Sequence, residues 1–183
     1  GVWLETGIIY RNGREIMPAA DIKIPGVHNI ENYMAAACAT EGLVSDADVD
    51  AVARNFGGVE HRIELVRELH GVKYYNDSIA SSPSRTIAGL HSFRQKVILI
   101  AGGYDKHIPF DVLGPEICTH VKTLVLCGAT AGKIRAAVEN APEYQKGTPE
   151  ILEANNLREA VELAKKFGRD ESPAFINGVL AKL

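Results

Sequence analysis

The chain is poor in several things, and each shortage closes off a class of protein. Its 183 residues hold only three cysteines, one tryptophan and 7% aromatic residues. Cys38, Cys118 and Cys127 form no C-x-x-C pair, so a disulfide framework and a cysteine metal knuckle are both excluded, and all three read as reduced core residues. There is no surplus of positive charge: the net charge is −3, and no Lys/Arg cluster is dense enough to follow a phosphate backbone, which argues against a nucleic-acid partner. No apolar run has the length of a membrane span, and the start does not have the layout of a signal peptide, so no membrane partner is expected. Internal repeats and low-complexity tracts are missing as well. What is present is ordinary in proportion, 46% apolar and 23% charged, enough to bury a sizeable core. The opening Gly1-Val2-Trp3-Leu4-Glu5 reads like the middle of a sheet and suggests a segment of a longer protein.

The pattern along the chain changes once. Up to residue 57 it shows a hairpin about Asn12-Gly13, a short strand over residues 21–24, a helix over residues 29–41, and a second helix from about 46 to 56 that opens on the capping box Ser45…Asp48. Asn29 is placed as the N-cap of the first helix, whose apolar stripe is Ile30, Tyr33, Met34, Ala37 and Cys38. Gly57-Gly58 marks a domain boundary. Beyond it, strands and helices alternate. Residues 62–69 and 72–76 form an antiparallel pair about His70-Gly71, and Ser82-Pro83 opens a helix running to about residue 91. Residues 97–101 form a strand buried on both faces, and further strands lie at 123–127 and 150–152. Helices fall around residues 115–120, 131–138 and 157–167. This order predicts an α/β, Rossmann-like, mostly parallel sheet with helices on both faces, spanning 58–183 and preceded at 1–57 by a β-hairpin and helical segment.

Chemistry concentrates where strands end. The apolar run of residues 72–75 stops at Asn76-Asp77-Ser78, with Ser81 and a helix N-terminus close behind, and in open α/β sheets ligands bind at the carboxyl ends of strands. Arg62, on the preceding strand, brings a permanent positive charge to the same rim. A cation, a carboxylate and a helix N-terminus together suit the phosphates and ribose of a nucleotide. Gly102-Gly103-Tyr104-Asp105-Lys106 follows the next strand and offers Lys106, paired with Asp105 on a glycine hinge, to an anionic substrate. Gly128-Ala129-Thr130-Ala131-Gly132-Lys133 looks like a phosphate-binding loop but is one residue short, and Ile134 stands where Ser or Thr is needed. It is read as a plain βα turn. Asn32, one turn beyond Asn29, has the donor and acceptor to read an adenine edge. His61, His70, His91, His107 and His120 share no ligand spacing, and none is assigned to a metal. The residues alone leave three readings open: a ligase, a non-catalytic nucleotide-binding module, and a structural α/β domain on which Arg62 and Asp77 are unrelated surface ions. A dinucleotide module would need G-x-G-x-x-G after the first strand, where this chain has Asp77-Ser78-Ile79-Ala80-Ser81.

Pro25-Gly26-Val27-His28-Asn29-Ile30-Glu31-Asn32, then His61-Arg62, then Asn76-Asp77-Ser78, then Gly102-Gly103-Tyr104-Asp105-Lys106 resemble, in order, the motifs of the Mur ligases. The resemblance extends to about residue 167 and is strongest to the branch that adds D-glutamate. It implies a cytoplasmic, ATP-dependent, ADP-forming enzyme of peptidoglycan precursor synthesis, a monomer at full length. Such an enzyme phosphorylates the alanine carboxylate of UDP-N-acetylmuramoyl-L-alanine and lets D-glutamate attack the acyl phosphate. Residues 1–57 would then be the end of the central ATP-binding domain, and 58–183 the C-terminal ligase domain, incomplete at its end. By the same resemblance Asn29 and Asn32 lie at the adenine, Arg62 near the ATP phosphates and Asp77 on the ribose. Ser81 and Lys106 would hold D-glutamate. No catalytic residue is assigned to this chain, the Mg2+ ligands are expected outside it, and the chain alone is expected to be inactive. The chain departs from the family at Ile79, where many relatives carry Lys, and after Ser172-Pro173-Ala174, which echoes the start of a Ser-Pro-Ala-rich loop. Another Mur ligase or a folylpolyglutamate-type ligase adding a different amino acid is the nearest alternative.

Overall fold

Asn12 and Gly13 both take left-handed backbone angles, φ 52° and 82°, the geometry of the tight turn that matches the twist of two antiparallel strands. Thr6 and Gly7 do the same one turn earlier, at φ 48° and 82°. The two turns fold β1 (Val2–Glu5), β2 (Ile8–Arg11) and β3 (Arg14–Pro18) into a three-stranded antiparallel sheet. In this computed structural model, which describes residues 1–167 and 174–177, the chain divides into two units, Gly1–Gly58 and Val59–Leu183.

In the first unit, β3 runs into a short 3-10 turn, Ala19–Asp21, followed by α1 (Val27–Ala39) and α2 (Asp46–Asn55). Ile9, Met17, Ala19, Ile22 and Ala53 form its core, joined by Ile30, Tyr33 and Met34 of α1. The strand expected at residues 21–24 does not form. Ile22 is buried in that core, and the N–H of Lys23 donates to the Ala53 carbonyl at 3.0 Å, so the segment bonds to a helix end instead of a sheet edge. The helix expected from Asn29 starts earlier: Gly26, at φ 105°, is the residue before its first turn. Cys38 is exposed, not part of the core stripe. The Ser45–Asp48 capping box forms as expected, each residue bonding the other's backbone N–H.

The second unit is a six-stranded sheet in the order β4-β5-β9-β6-β7-β8, formed by β4 (Glu64–Leu69), β5 (Val72–Asp77), β6 (Val97–Gly102), β7 (Val121–Cys127), β8 (Glu150–Glu153) and β9 (Ala174–Asn177). Only the β4–β5 pair is antiparallel. Connecting them are α3 (Pro83–Leu90), α4 (Leu113–His120), α5 (Ala131–Glu139) and α6 (Leu157–Phe167). Side chains of β6 alternate between two cores, as strand geometry requires. Val97, Leu99 and Ala101 pack with Leu90, Ile117 and Ile134 of α3, α4 and α5. Ile98 and Ile100 pack with Ala160 and Ala164 of α6 on the other face. The fold is thus α/β, with helices on both faces of a mostly parallel sheet.

Two expectations change here. Arg62 lies in a bend before β4, not on the strand. β9, not anticipated from the sequence, inserts between β5 and β6 and separates the two strands that end at Asp77 and Gly102. The Ser172-Pro173 part of the tail motif lies outside the described residues.

Candidate functional site

In register, Gly102 lies opposite Cys127, and Asp77 opposite Asn177, while β6 and β9 pair through Ile100 and Ile176. The carboxyl ends of β5, β6 and β7 therefore share one rim, the edge at which ligands bind in such sheets.

At the β5 end two turns hold one another. Asp77 is buried, 3% exposed, and its Oδ1 accepts the backbone N–H of Ile63 at 3.1 Å. Burial pushes its carboxyl up to about 6, although the Ile63 N–H and the charges of Arg62 and Arg85 act the other way. Asn76 completes the clasp. Its Oδ1 accepts the Ser78 N–H at 3.0 Å, which leaves Nδ2 to donate to His61 Nδ1 at 2.8 Å. That nitrogen must then be unprotonated. The Ile79 N–H donates back to the His61 carbonyl at 3.2 Å. His61 and Ile63 both sit in the left-handed region, φ 64° and 46°, conformations that non-glycine residues hold only when their surroundings fix them. The Arg62 between them is exposed, and its charge acts on Asp77. Ser81 is half-buried on the same turn, its N–H donating to the Ile79 carbonyl at 2.9 Å. Pro83 opens α3 just beyond, as expected, though the Ser82 side chain does not cap it and instead meets the Ser84 hydroxyl at 3.2 Å.

The β6 end is built on close backbone contacts. A Cβ on Gly102, φ 136°, would lie 1.6 Å from the Cys127 carbonyl oxygen, and one on Gly128 would lie 2.7 Å from Gly103. The glycines at these two turns are there so that the turns can touch. The Thr130 N–H then donates to the Gly103 carbonyl at 3.1 Å. Asp105 does not bond its neighbour Lys106. Asp105 instead bonds Lys133 Nζ at 2.6 Å and accepts the His107 N–H at 2.8 Å. Lys133 first, then the His107 N–H, hold its carboxyl below the usual range. With Asp105 so occupied, Lys106 is exposed and bonded to no described residue.

The structure therefore brings Arg62, Asp77 and Ser81 together about the β5 end and sets Lys106 on the loop after β6. Reading residues 128–132 as a plain βα turn passes over Lys133. Its position directly after Gly132, in the first turn of the helix that follows a buried strand, was the available signal. In the first unit, Asn29 is 7% exposed and its Nδ2 donates to the Pro25 carbonyl at 2.6 Å, so its amide is turned onto its own chain. Asn32 is exposed on α1.

Comparison with known proteins agrees with this architecture. Residues 61–172 match the family described as "Mur ligase, glutamate ligase domain". A UDP-N-acetylmuramoylalanine–D-glutamate ligase of Acetivibrio thermocellus is 55% identical over 165 residues, which is 87% of this chain and 35% of that protein. One from Clostridium kluyveri is 51% identical over 166 residues, 91% of this chain and 36% of its own length. The chain thus spans about a third of the length of these relatives. Among solved structures, a UDP-N-acetylmuramate–alanine ligase of Thermotoga maritima matches with TM-score 0.68 at 18% identity, over 94% of this chain and 39% of that one. A Mycobacterium tuberculosis folylpolyglutamate synthase complexed with ADP matches with TM-score 0.71 at 15% identity, over 98% of this chain and 44% of its own. At such identities the solved structures speak for the fold. The family match covers more than half of the residues, and the chain belongs to the Mur ligase family.

Proposed function

We propose that this chain is the part of an ATP-dependent, ADP-forming ligase that receives D-glutamate and contributes to the nucleotide site. The observation that carries the reading is 55% identity, along 87% of the chain, to a relative named as a D-glutamate ligase. In the proposed reaction, ATP phosphorylates the carboxylate of UDP-N-acetylmuramoyl-L-alanine. The D-glutamate amine then attacks the acyl phosphate carbonyl, the C–O bond to phosphate breaks, and the amine loses its proton. The enzyme is cytoplasmic and monomeric in this reading. Residues 1–57 are the end of its ATP-binding domain, and 58–183 its C-terminal domain.

The roles follow from the chemistry of each side chain. Arg62, exposed beside the clasp, meets ATP phosphates. Asp77 offers a carboxylate to ribose hydroxyls while its Oδ1 holds the Ile63 loop. Asn32 reads the adenine edge, and Asn29 shapes the loop before it through Pro25. Ser81 and Lys106, whose side chains bond no described residue, receive the D-glutamate carboxylates. Mg2+, where the ATP-dependent reaction uses it, would supply charge neutralisation at the phosphates. It prefers oxygen ligands, and the one three-residue ligand cluster among the described residues contains two histidines, so this chain's described residues do not fit it. Its ligands are assigned to the length of the relatives that this chain does not span.

The test is D-glutamate-dependent phosphate release by the full-length protein, wild type against Lys106→Ala. Losing a charge-assisted bond of about 1.5–3 kcal/mol should raise the KM for D-glutamate roughly ten- to a hundredfold and leave that for ATP nearly unchanged. Unchanged KM and turnover would remove Lys106 from the site, and preference for another amino acid would move the reading to a different ligase of the family. The 183-residue chain alone should release no phosphate above background. Spanning about a third of its relatives' length, it would forgo the advantage of holding both substrates together, about 7–11 kcal/mol.

A further inference from the structure

The histidines of this chain show no ligand spacing in sequence, yet the packing of α3 on α4 gathers two of them. His91 caps the carboxyl end of α3, and Glu116 and His120 lie one turn apart on α4, so they share a face. His91 Nε2 is 2.6 Å from Glu116 Oε2, and His120 Nε2 is 3.5 Å from the same oxygen. One ligand atom from each residue lies within 4.8 Å of the others, and the two imidazole rings are 4.9 Å apart at 51°, tilted and not stacked flat.

We propose that His91, Glu116 and His120 bind a borderline divalent transition ion, with Zn2+ as its representative. With bonds of about 2.0–2.1 Å, the donors around a tetrahedral Zn2+ stand roughly 3.3–3.4 Å apart. The His120–Glu116 separation of 3.5 Å already fits, and the His91–Glu116 contact needs to open by less than an ångström, a side-chain rotation at partly exposed residues. Two imidazoles and one carboxylate leave a fourth position for water, and imidazole donors select Zn2+, Cu2+ or Ni2+ over Mg2+. Lys96 is an opposing positive charge near His120. Its Nζ is tied to the Cys118 carbonyl at 3.2 Å, which limits its approach.

Position sets the role. α4 ends at His120 and β7 begins at Val121, so the triad stands at the starting edge of the sheet, opposite the rim at which Asp77, Gly102 and Cys127 end. An ion there clamps the end of α3 to α4 and stiffens the face that packs on β6 and β7. It does not belong to the ligase chemistry, and its test is independent of that reading.

The experiment is calorimetric titration of the chelator-treated 183-residue chain with Zn2+ near neutral pH, in parallel with Co2+ absorption. One Zn2+ per chain is expected, with tetrahedral Co2+ bands and a rise in melting temperature. His91→Ala and Glu116→Gln should each weaken binding by at least about tenfold, since even changes behind the ligands cost that much. Excess Mg2+ should not compete. Glu116→Gln keeps the shape of the helix, and circular dichroism of each variant verifies that it is folded. Absence of saturable one-to-one binding overturns the proposal, and so does binding unaltered in both variants, which would place the ion at other histidines.

Discussion

The carboxylate of Asp77, buried at the end of β5, accepts the backbone N–H of Ile63 at 3.1 Å and so fixes a left-handed turn that carries Arg62 to the surface. One side chain thus both ends a strand and positions the cation beside it. The arrangement has a cost, because burial raises the carboxyl to about 6 against an ordinary 3.8. The folded state therefore holds a proton that the unfolded chain has already released.

The sign of the pH dependence follows. For an acid whose folded value lies above its unfolded value, stability is greatest below about pH 4, falls as pH rises through the window from 3.8 to about 6, and is level above it. Asp77→Asn keeps an oxygen to accept the Ile63 N–H and removes the charge. Urea unfolding followed by far-ultraviolet circular dichroism from pH 4 to 7 should show the variant gaining on the wild type as pH rises. A constant difference across that range would mean that Asp77 ionises without penalty.

An ion pair with one buried partner lies in the first unit. Arg11 is 3% exposed, its Nε donates to Asp46 Oδ1 at 2.7 Å, and its guanidinium also donates to the Val44 carbonyl at 3.2 Å. Arg14 reaches the other oxygen of Asp46 at 3.2 Å, but from a side chain that is 70% exposed. Leaving the part-buried acceptors of Arg11 unpaired costs about 1–3 kcal/mol, whereas a surface pair is worth at most about 1. Arg11→Ala should therefore destabilise the first unit markedly while Arg14→Ala scarcely alters it. The single tryptophan, Trp3, stacks on Tyr10 in this unit, so its fluorescence reports the unfolding directly. Equal midpoints for the two variants would refute the distinction.

Lys133 positions the loop that carries Lys106. Its 2.6 Å bond to Asp105 occupies the carboxylate that would otherwise neutralise Lys106. In the full-length enzyme, Lys133→Met should free Asp105 to pair with Lys106, raising the KM for D-glutamate several-fold with little change in the KM for ATP or in melting temperature. The double variant with Asp105→Ala should recover most of the loss. Failure of that rescue would show that Lys133 acts on substrate itself and not through Asp105.

Much of this architecture can be read from the sequence where the signal is local. Asn12-Gly13 turns because Asn and Gly tolerate positive φ, Ser45 and Asp48 cap because their side chains reach one another's backbone within one turn, and residues 97–101 are buried because an unbroken apolar run can only lie between two layers. The strand ends bearing Asp77 and Lys106 are legible for the same reason, since each follows directly on an apolar run. The Asp21–Ile24 alternation misleads because the partner that decides it, the Ala53 carbonyl, is 30 residues away.

By itself, then, the sequence determined most of the order of strands and helices, the two-part rhythm broken at Gly57-Gly58, and the polar residues delivered to the sheet's carboxyl rim. These depend on neighbours a few positions apart. Only the tertiary structure decided that β9 enters between β5 and β6, that Asp105 takes Lys133 over the adjacent Lys106, and that His91 meets Glu116 and His120 across two helices. Those outcomes rest on distances between residues 25 or more positions apart, which the packing of side chains in a shared core sets and no local spacing encodes.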